Sequence, residues 1–133
     1  YYQGFRSPIN QEKEEKGYSL GWLHHKGRNK HHFEYWIDMS ANPKEGLIGV
    51  KMPRRYLAEM VVDRVCASKI YKGKNFKPED PLLYFLGGKN HCLMNEKTAE
   101  VLEKILTMYR DKGERYTFHY IKKVFLKNPD ADY

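Results

Sequence analysis

The sequence predicts an all-α fold, a single compact domain of about five helices, on three observations. Helix punctuation recurs: Pro53 opens and Gly73 closes one apolar stretch, Asn95 and Gly113 bracket another, and Asn128-Pro129 stops a third. No alternating run of strand length stands out, and there is no internal repeat. The 133 residues are 41% hydrophobic and 14% aromatic, enough to bury a core at this length.

Taken in order, residues 1–19 read as a helix tail and then a loop, broken at Gly4 and Ser7-Pro8 before the charged run Glu12 to Lys16. The two glycines of E-G-L-I-G-V, residues 45–50, could frame a brief extended segment, but the segment reads as loop. Pro53 to Tyr71 is the clearest helix, with apolar residues almost all round its wheel, the mark of a buried central element. Within it Asp63 is flanked by apolar residues and Glu59 lies one turn earlier on nearly the same face; a carboxylate buried there needs a partner. Lys72 to Pro81 reads as loop, and P-L-L-Y-F-L-G-G, residues 81–88, as a short helix with a glycine stop. Asn95 caps a helix running to Asp111, with Val101, Leu102, Ile105, Leu106 and Tyr109 as its core stripe. A last helix from Tyr116 to Lys127 places Phe118, Ile121, Val124 and Phe125 inward, and Lys122, Lys123 and Lys127 outward.

Chemistry concentrates between Trp22 and Trp36, W-L-H-H-K-G-R-N-K-H-H-F-E-Y-W, which carries four of the six histidines within nine positions. Imidazole is the commonest metal ligand and titrates near neutrality, so the cluster points to metal binding or acid–base chemistry. One continuous helix would put His25 and His32 on one stripe and His24 and His31 on another. Each such pair would stand two turns apart, ~10.5 Å along the axis, whereas ligands sit about 2 Å from their ion. A single helix therefore makes no chelate across the doublets. Gly27 as a terminator and Asn29 as a cap offer a turn that could bring them together. The competing reading is structural: doublets at helix ends bonded to Glu34, Asp38 or backbone carbonyls. Asp63 likewise reads either as a ligand or as half of a salt bridge to Arg28 or Arg64. Trp22, Tyr35 and Trp36 read as core, and Cys66 as an inert buried thiol.

The histidine segment, with M-P-R-R-Y-L-A-E-M-V-V-D (residues 52–63) and L-M-N-E-K-T-A-E-V-L-E-K-I-L (residues 93–106), resembles a family of uncharacterised bacterial and phage proteins, a domain of unknown function. Its pattern is W-x-H-H-x-x-x-N-x-H-H-x-E-Y-W followed by M-P-x-x-Y-x-x-E-M-x-x-D. The resemblance covers roughly residues 20 to 110. The domain then divides into a family core over 20–112 and a C-terminal helix and tail over 113–133. The family's order of histidines and aspartates is in turn similar to the HD superfamily of metal-dependent phosphohydrolases. That implies an HD-like fold with one or two divalent ions, such as iron, manganese, zinc or nickel. His24, His25, His31, His32 and Asp63 would then be the candidate ligands. Lys26, Asn29, Arg64 and Lys69 would be the candidates for holding a small phosphorylated substrate, a nucleotide or other phosphate ester. The family's upstream His-Asp segment has no counterpart after Tyr1, so the resemblance implies half of a metal site and an incomplete, inactive fragment.

The net charge of +7 suits anionic partners and carries the alternative: a non-enzymatic basic helical module for nucleic acid or an acidic protein. No phosphate-binding glycine loop, H-E-x-x-H or G-x-S-x-G motif is present. Two thiols without zinc-ribbon spacing, and no apolar run of membrane-spanning length, point to the cytoplasm.

Overall fold

Helix α1 shows how local chemistry sets the architecture. In the computed structural model, which describes residues 29–133, it runs Arg54–Lys72, with the Pro53 carbonyl accepting from the Tyr56 and Leu57 amides. It ends where Gly73 adopts φ +57°, with its N–H bonded to the Lys69 carbonyl. Its inward face is Leu57, Ala58, Met60, Val61, Val65 and Ser68. Val62 and Ile70 are exposed, so α1 is buried on one side, not all round as its composition suggested.

Helix α2 (Asp80–Gly88) turns Pro81, Leu82 and Phe85 inward. Helix α3 (Glu96–Lys112) starts at Asn95, whose side-chain oxygen accepts from the Lys97 and Thr98 amides at 3.0 and 3.2 Å. Asn95→Ala is expected to lower stability by about 1 kcal/mol. A urea titration beside Asn95→Asp, which keeps the acceptor, checks it. Gly113 at φ +88° ends α3 and begins α4 (Glu114–Tyr120), which widens into a π turn over Ile121–Phe125. Thr117, Ile121 and Phe125 point inward, while Val124, expected inside, is exposed. The Leu126 amide bonds the Ile121 carbonyl, five residues back, and this widened turn rotates Val124 away from where a regular helix would put it.

The all-α expectation is corrected at residues 37–49. Strands β1 (Ile37–Met39) and β2 (Leu47–Gly49) form an antiparallel hairpin in the register Ile37↔Gly49, Asp38↔Ile48, Met39↔Leu47. Side chains build its turn: Ser40 Oγ accepts from the Asn42 amide and donates to Glu45, and Asn42 Oδ1 accepts from the Lys44 amide. Gly46 supplies the left-handed residue at φ +68°. The described fold is thus mostly helical, four helices with one small hairpin.

Two locks join distant parts of this layout. The Met52 amide donates to Thr98 Oγ1, whose hydroxyl pairs with Tyr133 OH, and Tyr133 donates back to the Met52 carbonyl. Both polar groups of one buried residue are satisfied by two side chains. Beside them Arg54 donates to the carbonyls of Phe125, Ala131 and Asp132. The tail is thereby tied to the start of α1.

Candidate metal centre

A short turn carries the second histidine doublet to α1. The His32 amide donates to the Asn29 carbonyl and the Tyr35 amide to the His32 carbonyl, each at 3.1 Å. A 3-10 helix then spans Phe33–Trp36. Trp36 Nε1 donates to the Lys30 carbonyl at 2.7 Å, and its ring lies 5.8 Å from that of Tyr56 on α1. Phe33 and Trp36 pack on the core, whereas Tyr35 is largely exposed. The aromatic residues of the motif therefore hold the turn against the helix.

Held in this way, His31 lies between two carboxylates. Its Nδ1 is 3.8 Å from Glu59 Oε2 and its Nε2 is 4.0 Å from Asp63 Oδ2. Four residues separate Glu59 from Asp63, so both project from one face of α1. His32 is buried, at 4% exposure, with its ring centroid 4.5 Å from that of His31. One donor atom each from His31, His32 and Asp63 can be chosen so that all lie within 4.8 Å of one another.

These three residues could hold a metal ion. Two ligands bound tetrahedrally at about 2.1 Å sit about 3.4 Å apart, so the group must contract by an ångström or so to close on one ion. Two imidazoles and a carboxylate suit zinc, iron, manganese or nickel, and three protein ligands leave positions for water and substrate. The donor chemistry fits, and the spacing fits after that contraction.

The other candidates fall in several places. His24, His25 and Lys26 lie outside the described residues, as do Arg28 and Trp22. Asn29 begins the histidine turn. Arg64 stands with its guanidinium 5.7 Å from the Phe85 ring centroid, and Asp63 meets His31. Asp63 is also less buried than its apolar neighbours implied, its side chain retaining 33% exposure. Lys69 pairs with Glu114 at the far end of α1. That contact, chiefly, holds the Glu114 carboxyl below its usual range. Burial, and then the same carboxylate, pushes the Tyr109 hydroxyl up to about 12. Cys66 is exposed, not buried. Burial raises the thiol of Cys92, with Arg64 opposing. Glu59 was visible in the sequence only as a neighbour of Asp63; the spacing of four was the signal.

A family model matches residues 1–108 of the chain. The chain belongs to DUF5662, a family of unknown function. The DUF5662 match takes in both histidine doublets, α1 and most of α3, so every residue of the candidate centre lies within it. No curated protein and no solved structure matches the chain. The DUF5662 assignment carries no link to the HD superfamily, and the described fold supplies none. Among the described residues no helix is long and apolar enough to cross a membrane.

Proposed function

We propose that this DUF5662 protein is a metal-dependent phosphohydrolase in which His31, His32 and Asp63 hold one divalent transition-metal ion beside a small phosphate ester. The observation that carries the reading is the convergence of two imidazoles and a carboxylate to within 4.8 Å, from a turn and a helix, with His32 and Asp63 separated by 31 residues in sequence. A bound ion supplies Lewis acidity and lowers the pKa of water. In the hydrolysis a water oxygen bonds to phosphorus, the ester P–O bond breaks, and the leaving oxygen takes a proton. Asn29, in the same turn as the histidine ligands, is the described residue this reading favours for substrate contact. The net charge of +7 supports an anionic substrate.

The test is elemental analysis of protein purified without a histidine tag, followed by a panel of nucleotides and aryl phosphates with and without chelator. Near-stoichiometric metal and chelator-sensitive phosphate release are expected. Protein that stays metal-free after incubation with zinc, iron, manganese and nickel overturns the reading.

One observation favours a second reading. Between α1 and α2, Lys72, Lys74 and Lys77 line a surface hollow with Asn75, Phe76 and one carboxylate, Asp80; the three cations and the aromatic ring suit a nucleic-acid strand. A binding module of that kind associates with oligonucleotides in a salt-sensitive manner and is indifferent to chelators.

A further inference from the structure

We infer that Glu59 is a positioning residue for the candidate centre, orienting the His31 imidazole through Nδ1 so that Nε2 faces the ion. The inference rests on the metal-binding reading above. Its ground is the placement of His31, with Nδ1 towards Glu59 and Nε2 towards Asp63, at 3.8 and 4.0 Å. Glu59 stands outside the three-residue ligand group, so its role is exercised through His31.

Neutral imidazole carries one N–H, and only the other nitrogen offers a lone pair to a metal. A carboxylate at Nδ1 selects the tautomer with hydrogen there and leaves Nε2 free to coordinate beside Asp63. Metal-bound histidines characteristically donate their second ring N–H to such a partner, which fixes the ring and raises its basicity. The opposite assignment would turn the Nε2 hydrogen towards Asp63 and divide two neighbouring ligands between different directions. At 3.8 Å the Glu59 contact is longer than a hydrogen bond, so the orienting role requires the exposed Glu59 side chain to close that gap. Glu59 keeps 59% side-chain exposure, so a merely structural role would be small.

The experiment compares wild type with Glu59→Ala and Glu59→Gln, titrating Co²⁺ by its visible absorption and reading the His31 tautomer from imidazole nitrogen shifts with and without Zn²⁺. Wild type should show hydrogen on Nδ1 of His31, and Zn²⁺ should shift Nε2. Glu59→Ala should weaken Co²⁺ binding about 10- to 100-fold, Glu59→Gln less, since its amide oxygen still accepts. The melting temperature of the metal-free variants should match wild type. Metal binding by wild type with unchanged affinity and tautomer in Glu59→Ala overturns the inference while leaving the metal site standing. Wild type that binds neither ion removes both, and an Nδ1–H tautomer surviving in metal-free Glu59→Ala removes the orienting role by itself.

Discussion

Asp63→Asn is expected to strip the protein of metal while leaving it folded. The substitution keeps the shape of the side chain and removes its charge, and an amide oxygen is a far poorer ligand for a transition ion than a carboxylate. The loss in affinity should exceed the 10- to 100-fold typical of a partner outside the ligand set, so elemental analysis should return background values. Stability should move by no more than about 0.5 kcal/mol, as for other substitutions away from the core, because a third of the side chain is already in solvent. His32→Ala makes the informative contrast. It should lose metal equally and also destabilise the metal-free protein by about 2 kcal/mol, since His32 is 4% exposed and its removal leaves a gap. Metal content unchanged in Asp63→Asn would remove the carboxylate from the ligand set and leave the ion to the histidines and other donors.

Gly49→Ala should be the most damaging alanine substitution among the described glycines. A Cβ at that position would stand 2.7 Å from the Met94 carbonyl carbon and 2.9 Å from the Leu93 oxygen, with the Asn95 nitrogen closer still. All three are backbone atoms leading into the α3 cap, so none can rotate aside. Relief requires the hairpin to lift away from α3, which also breaks the contact from Asn95 Nδ2 to the Gly49 carbonyl. A cost of about 3 kcal/mol follows, the upper part of the overpacking range, against a total stability of roughly 5–15 kcal/mol for a typical domain. Gly46→Ala is the matched control: it meets nothing within 4 Å but has φ +68°, so only backbone conformation is at stake, about 1–2 kcal/mol. Equal urea midpoints for the two variants would show that the hairpin yields more readily than the close approach implies.

The helices were legible because their ends are written in single residues. Pro53 and Gly73 mark α1, and Asn95 and Gly113 mark α3. Of the hairpin only a candidate extended segment between Gly46 and Gly49 was legible, because three-residue strands contain barely one alternation and their burial does not alternate. The need for glycine at 49 is imposed by backbone 44 to 46 residues away, which no local pattern encodes. At the site, residue type exposed the histidines and Asp63 as candidates. Which doublet meets Asp63, and that Lys69 meets Glu114 across 45 residues, are tertiary facts. Val124 was misplaced because the wheel assumed a regular helix where the chain forms a π turn.

The histidine turn and α1 differ in how they are built, and the difference has a polymer-physics consequence. Asp63 sits mid-helix in a rigid rod, whereas His31 and His32 ride on a turn held by a few backbone bonds and ring contacts. An ion held by His31, His32 and Asp63 would be a cross-link between them, closing a loop of about thirty residues that contains the whole hairpin. With such a cross-link, ion concentration would act as a dial on how firmly residues 31–53 are tied to α1, and the melting temperature should climb with the logarithm of free metal.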